Sequence, residues 1–298
     1  MMPFLDIVRF IWNHPLASRN RGLAFSKFFS WQIGQKVLNN RPVLYPLVED
    51  SVLLVRKGMA GATGNIYTGL AEFEEMAFIL HALREEDLFA DIGANIGVYT
   101  ILASKNAGAK VISIEPIPGT FENLRRNTEL NQTADRTELL CYGVGYEHGT
   151  LRFTKDFDAV NHVVGENETF GSNALMEVPV RTLDELLAGR NPSFIKMDVE
   201  GFEWPALKGA TAMLSSPVLK GIIIELNGSA GRYGYSDDNI HELLLSHNFN
   251  PYLYEPFSRE LSPVSKYGNF NTIYLRDIEW VRRRLKASRK YTILGQEI

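Results

Sequence analysis

The sequence predicts an α/β fold, a mainly parallel twisted sheet with helices on both faces and an N-terminal cap of helices and short strands. Three observations carry it. From about residue 72 onward, short apolar runs alternate with runs of helical periodicity, the pattern of strands joined by covering helices. The first of those strands ends in a glycine-containing turn that opens a helix. The composition, 45% hydrophobic and 22% charged over 298 residues, is that of an ordinary globular chain, and a single α/β unit of more than about 200 residues is common. One domain with extensions is therefore expected: a cap over residues 1–70, the main domain over 71–278 and a basic helix or tail over 279–298.

Taken in order, residues 4–38 favour helix and are interrupted at Pro15. Residues 43–45 and 51–55 read as a hairpin or two edge strands, running into a turn-rich stretch over 58–64. Between 72 and 83, Phe73, Met76, Ala77, Leu80 and Leu83 fall at helical spacing, and His81 lies off that stripe, which reads as a solvated helix position. The regular part follows: strand 88–92, helix 97–107, strand 110–114, helix 119–130 and strand 138–144. Alternating residues around 151–153 and 178–180 flank a polar loop, an inserted hairpin over about 150–182. Alternation resumes with a short helix at 183–187, strand 194–197, helix 203–214 and strand 221–226. Pro205 stands in the first turn of its helix, where a missing donor costs little. Ser236 caps a helix over 237–246, and residues 251–254 and 272–275 close the sheet. This order is Rossmann-like.

The single cysteine, Cys141, excludes an intramolecular disulfide framework and fits a reducing compartment. No stretch approaches the roughly 20 apolar residues of a membrane span. The opening residues carry Asp6 where a secretory leader would be basic, so the expected location is cytoplasmic. A net charge of -4 speaks against a nucleic-acid partner. Two segments are basic. Residues 4–41 combine Arg9, Arg19, Arg21, Lys27, Lys36 and Arg41 with many aromatic and aliphatic residues, which suits either helices packed on the main domain or peripheral contact with a membrane surface. The run Arg282-Arg283-Arg284-Leu285-Lys286 reads as a solvated face of a terminal helix.

The most informative segment is Phe89-Ala90-Asp91-Ile92-Gly93-Ala94-Asn95-Ile96-Gly97. Gly93 permits a tight turn and close ligand approach, and the following helix presents free amides. In a dinucleotide fingerprint a second glycine admits the pyrophosphate, but Asn95 stands there, so a nucleoside without phosphate fits better. The next strand ends at Glu115, at the spacing where an acid accepts ribose hydroxyls.

The Asp91 to Gly97 turn, Glu115-Pro116, Ile195-Lys196-Met197-Asp198-Val199-Glu200-Gly201-Phe202-Glu203 and Leu207-Lys208-Gly209-Ala210 together resemble the FkbM family of methyltransferases. The similarity runs from about Glu72 to about Asp277, and Thr182-Leu183-Asp184-Glu185-Leu186 and Asn271-Thr272-Ile273 also suit the family. The resemblance implies a class I methyltransferase fold and methyl transfer from S-adenosyl-L-methionine, in many members to a hydroxyl of a sugar, glycoside or secondary metabolite. Carried over by position, Asp91 would engage the methionine end of the cofactor, Gly93, Ala94, Asn95 and Gly97 would line it, Glu115 with Pro116 would hold the ribose, and Gly143 and Val144 would border adenine.

Ligands of open α/β sheets bind beyond the carboxyl ends of the strands, which places Asp198, Glu200, Glu225 and Asn227 where the acceptor reacts. Asp198 or Glu200 could take the proton of an acceptor hydroxyl, or His162 from the inserted loop. The same acids are oxygen donors of the kind magnesium accepts, but no spacing is diagnostic and a metal-free site is expected. Residues 228–235 read as either a mobile lid or an ordered connection. Two rivals remain: a nicotinamide-dependent oxidoreductase, disfavoured by Asn95, and a methyltransferase-like protein that binds without turnover.

Overall fold

The computed structural model describes residues 4–155, 161–165, 168–171, 174–268 and 270–298. The chain opens with α1 (Phe4–Asn13), a 3-10 turn over Ala17–Asn20 and α2 (Arg21–Val37), with Pro15 between the two helices. Asn20 caps α2 by accepting the Leu23 amide at 3.3 Å. Ile11, Phe28 and Trp31 are buried, whereas Phe4, Trp12, Phe29 and Ile33 face outward. The helices are thus packed on the body of the protein through one side and leave an apolar outer side. Among the described residues no helix is long and apolar enough to cross a membrane.

β1 (Val43–Pro46) and β2 (Val52–Val55) pair as the expected antiparallel hairpin. The stretch after it departs from expectation, because residues 60–68 form α3 (Ala60–Thr68) rather than turns. Burial of Ala62, Ile66 and Tyr67 outweighs the low helix propensity of the glycines. α4 (Phe73–Ala82) follows, and here His81 is not solvated but fully buried, with Nδ1 2.6 Å from the Tyr254 hydroxyl. The stripe argument assumed a single covered face. Eight of the ten α4 residues are buried, and burial drives the His81 pKa down to about 3.

The central part consists of β3 (Leu88–Ile92), α5 (Val98–Ile101), which continues as a π-helical turn over Leu102–Asn106, β4 (Lys110–Ile114), α6 (Pro118–Leu130) and β5 (Thr137–Leu140). The run expected as one strand over 138–144 divides. β6 (Gly143–Val144) leaves the main sheet and pairs with β8 (Leu175–Arg181), which pairs antiparallel with β7 (Gly149–Thr154). Then come α7 (Leu183–Leu186), β9 (Phe194–Met197), α8 (Glu203–Lys208) and α9 (Thr211–Ser215). The helix expected over 203–214 is broken because the Asp184 carboxylate accepts the Ala212 and Met213 amides at 2.8 and 2.9 Å, capping a new start.

β10 (Gly221–Glu225), a 3-10 turn over Ser229–Tyr233 and α10 (Asp237–Ser246) follow, α10 with the expected Ser236 cap. The chain ends with β11 (Asn250–Glu255), β12 (Glu260–Pro263), β13 (Asn271–Leu275), α11 (Ile278–Lys286), β14 (Thr292–Ile293) and β15 (Gln296–Glu297). The run on α11 is not a simple solvated face, because Arg284 reaches inward to the Asp87 carboxylate and the Ala82 carbonyl.

The main sheet has the order β12-β11-β13-β10-β9-β3-β4-β5. The five strands from β10 to β5 are parallel, and β13 runs antiparallel between β10 and β11. β3, β4, β9 and β10 are largely buried on both faces, as parallel strands under two helical layers must be, while the edge strand β5 is only partly covered. Along β3, Phe89 enters one core layer while Ala90 and Ile92 enter the other. β3 is flanked by β4 on one side and β9 on the other, so connections leave it in opposite directions and a crevice opens at its carboxyl end. This is the Rossmann-like class I methyltransferase arrangement expected.

Candidate functional site

The turn after β3 is held by its neighbours. The Gly93 and Ala94 amides both donate to the Ile114 carbonyl at the end of β4, at 2.9 and 3.0 Å. Gly93 has φ +78, and a Cβ there would stand 1.7 Å from the Asp198 carbonyl oxygen, so a side chain would force apart the turns after β3 and β9. Asn95 also lies in the left-handed region, φ 51, which asparagine tolerates better than most residues. Its amide donates to Glu115 Oε2 at 3.0 Å, and the Ile117 amide donates to Oε1 at 2.9 Å. Glu115 thereby ties the first turn to the second. Burial pushes its carboxyl up to about 7, against the pull of those two amides.

An open cleft lies over these turns. Gly93, Asn95, Glu115, Pro116, Tyr142, Gly143 and Val144 line it. Asp198, Val199, Glu200 and Phe202 line it as well, and Asn161 and Val163 come from the inserted loop. Three of the expected cofactor residues stand behind the lining instead. Asp91 is buried, accepts the Thr100 hydroxyl at 2.6 Å and has its carboxyl pushed up to about 6 by burial. Ala94 and Gly97 shape the turn, the latter as the left-handed residue that starts α5.

Asp198 and Glu200 follow β9 directly. Glu200 has φ 57, and the Arg232 guanidinium donates to its carbonyl at 3.1 Å. Gly201, φ +94, continues the turn, where a Cβ would come within 2.7 Å of the Ser229 carbonyl oxygen. Two consecutive left-handed residues therefore present the Glu200 side chain to the cleft, a strained arrangement of the kind concentrated at functional sites. Burial, reinforced by Asp198 and Glu225, pushes the Glu200 carboxyl up to about 8. Glu203 has a different place: its Oε1 accepts the Val199 and Gly201 amides at 2.9 and 3.3 Å and so braces the turn from below.

His162 does not line the cleft, although its neighbours do; its Nε2 lies 3.3 Å from Glu168 Oε1. The segment 228–235 is an ordered connection, with the Tyr233 hydroxyl donating to the Val163 carbonyl at 2.7 Å.

Sequence reasoning gave no part to Lys196. Its side chain is buried beneath the site, where Nζ donates to Asn271 Oδ1 at 2.9 Å and lies 3.4 Å from Asp198 Oδ2. Burial works against this charge, but Asp198, Glu72, Glu225 and Asp91 outweigh it and hold the ammonium above the usual lysine range. Its position inside an apolar strand, Phe194-Ile195-Lys196-Met197, was the available signal, since a lysine buried there requires partners. Asp198 Oδ1 is buried and has no hydrogen-bond partner among the described residues.

The chain is similar to the hexuronic acid methyltransferase AglP of Haloferax volcanii, 31% identical over 159 residues, which cover 52% of this chain and 62% of that protein. It is similar to methyltransferase sdnD of Sordaria araneosa, 25% identical over 169 residues, 46% of this chain and 65% of that protein. The chain thus spans less than two thirds of either relative. Among solved structures, the precorrin-6y C5,15-methyltransferase of Geobacter metallireducens matches at 13% identity with a TM-score of 0.43, covering 78% of this chain and 98% of that one. The family model described as the methyltransferase FkbM domain matches residues 91–251. Over half of the sequence thus carries the family's pattern, as its motifs implied, and the chain belongs to the FkbM methyltransferases.

Proposed function

We propose that this methyltransferase takes its methyl group from S-adenosyl-L-methionine and delivers it to a hydroxyl of a sugar, a glycoside or a related small molecule. The observation that carries the reading is one cleft lined both by Glu115 and the Gly93 turn and by Asp198 and Glu200. The donor set suits that cofactor. Each Glu115 oxygen accepts a single backbone amide, so each keeps acceptor capacity for a ribose hydroxyl. Tyr142, Gly143 and Val144 offer a largely uncharged edge to adenine. Asp198 and Glu200, from the turn after β9, line the same cleft.

The cofactor supplies a sulfonium methyl group, and the chain's residues position the acceptor and move its proton. Lys196 Nζ lies 3.4 Å from Asp198 Oδ2 and steadies the carboxylate, whose accessible side would take the acceptor's hydroxyl proton as the methyl bond forms. Glu200, with its carboxyl pushed up to about 8, is largely protonated at neutral pH and donates a hydrogen bond that orients the acceptor. Two carboxyls with different environments thus take different parts. His162 is directed at Glu168, which leaves it a part in the loop rather than in the proton transfer.

The sugar reading draws on the likeness to a protein described as a hexuronic acid methyltransferase. A nicotinamide reading is opposed by Asn95, whose side chain stands where a pyrophosphate needs glycine. Calorimetric titration with S-adenosylhomocysteine and with NAD separates these two. A product-mass screen with labelled cofactor across sugars, uronic acids, glycosides, lipids and peptides then tests the acceptor. Binding of S-adenosylhomocysteine and label in a hydroxylated product are expected; binding of NAD instead would overturn the reading.

A further inference from the structure

Twelve residues of the chain are basic within two segments, one at each end, and the structure treats them differently. At the carboxyl end five of the six cations have carboxylate partners: Arg282 pairs with Glu279, Arg284 with Glu86 and Asp87, Lys286 with Glu260, Arg289 with Glu49 and Lys290 with Glu297. At the amino end Arg9, Arg19, Arg21, Lys27, Lys36 and Arg41 form no ion pair with any carboxylate among the described residues. Asp6 is the sole acid between residues 4 and 41. In a chain of net charge -4, this is a local excess of positive charge that nothing within the described protein neutralises.

The same segment carries a cluster of exposed large apolar side chains. Leu5 is 75% exposed, Trp12 54%, Phe29 52%, Ile33 63% and Val37 78%. Phe29, Ile33 and Val37 are spaced by four residues and so form one stripe along α2. α1 lies beside it: the Phe4 ring packs 5.9 Å from that of Phe28, which packs 5.1 Å from that of Phe29. The inner side of both helices is anchored in the core through Ile11, Ala24, Phe28 and Trp31, so the outer stripe is held rigidly outward rather than left over from poor folding. Apolar patches of this kind on a soluble body mark an interaction surface.

We infer that the outer face of α1 and α2 docks on an anionic lipid bilayer. Aromatic and aliphatic side chains on one helical face, flanked by unneutralised arginine and lysine, are what an interfacial helix presents to headgroups and the acyl boundary. A second copy of the chain is the poorer occupant, because a two-fold contact through this face would bring the two sets of cations together. Arg21 stacks over the Trp12 ring at 4.4 Å, which places a cation beside the aromatic that would enter the interface. α2 packs on α3, and Gly61 of α3 lies against the Asn95 side chain of the cleft turn. The docked face is therefore joined through one helix to the mouth of the site.

The test uses the full chain and sedimentation with vesicles of phosphatidylcholine alone or of equal parts phosphatidylcholine and phosphatidylglycerol. Binding to the mixed vesicles, weakened by added salt, is expected, with little binding to phosphatidylcholine alone. Replacing Arg9→Gln and Lys36→Gln together should lower partitioning by more than about tenfold, since each cation near an anionic surface is worth a factor of about five. Phe29→Ser with Ile33→Ser should lower it by a factor of about ten or more, at positions too exposed to endanger the fold. Melting temperature and S-adenosylhomocysteine binding of each variant serve as folding controls, and Ile33→Ser alone is the fallback. Failure of the wild type to sediment with the mixed vesicles overturns the inference. So does a concentration-dependent dimer that Ile33→Ser abolishes, which would give the face to a second copy.

Discussion

Replacing Lys196 by methionine tests the charge arrangement beneath the site. The ammonium is 2% exposed and makes its bonds to Asn271 Oδ1 and Asp198 Oδ2, with the Tyr99 ring 5.6 Å away. Methionine keeps the length of the side chain and removes the charge, so little cavity is created. What remains is Asp198 without its cation and a half-buried Asn271 oxygen without its donor. Breaking one partner of a buried pair costs about 3–5 kcal/mol. At about 2–4 °C per kcal/mol for a chain of this size, the melting temperature should fall by roughly 6–20 °C. The sign with pH is also fixed. The Lys196 pKa is raised, so its contribution is fully present below the ordinary lysine value and is lost only as the pH rises through the raised one. Burial pushes Glu200 and Glu225 up to about 8 and Glu203 up to about 7, so the folded protein holds protons there that the unfolded chain has released. Stability of the wild type should therefore fall as the pH rises from about 5 to about 8. Lys196 is among the groups that restrain the rise at Glu225, so the variant's deficit should be larger at the upper pH. Thermal denaturation of both proteins at the two pH values is the assay. A loss below about 2 °C, or a deficit that shrinks as the pH rises, would refute the reasoning.

Four further outcomes are expected of the site. Glu115→Ala should weaken S-adenosylhomocysteine binding by about 1.5–3 kcal/mol in calorimetry, the worth of charge-assisted bonds to the ribose, and an unchanged dissociation constant would remove Glu115 from that part. Asp198→Asn should lower turnover by a factor of about 100 to 10,000 while cofactor affinity stays near that of the wild type, because its carboxylate acts on the acceptor. Glu200→Gln, which keeps a hydrogen-bond donor, should retain most activity and abolish a descending limb of kcat near pH 8; a rate that instead rises through that pH in the wild type would make Glu200 the base. Finally, EDTA should leave turnover intact, since Lys196 already supplies the positive charge among the acids; recovery of lost activity with magnesium would contradict this.

Much of the fold was legible because its determinants are local. The alternation of apolar runs gave β3, β4, β9 and β10, and Ser236 ahead of two acids gave the start of α10. The misreadings share a cause, which is packing against distant parts of the chain. α3 forms over a glycine-rich stretch because its apolar residues are drawn into the core. His81 is buried by Tyr254, 173 residues away. β6 leaves the main sheet because β8 offers it an edge, and no residue between 138 and 144 announces that.

The site divides along the same line. Gly93 and Glu115 were readable because a tight turn and a strand-end acid act at short range, and the structure brings both to one cleft. Lys196 was not, because its partners Glu72, Glu225 and Asn271 come from three distant elements, and a charge inside a strand acquires meaning only from what the fold sets beside it. The two basic segments show the same physics in reverse. The carboxyl-terminal run reads as solvated charge, yet it meets Glu49, Glu86, Asp87 and Glu260 from remote positions, while the amino-terminal segment, which reads as packed helices or a membrane contact, pairs with no acid among the described residues. Sequence fixes where a charge stands along the chain; whether it is available to a partner depends on which acids the fold brings within about 4 Å, where the attraction is strong enough to count.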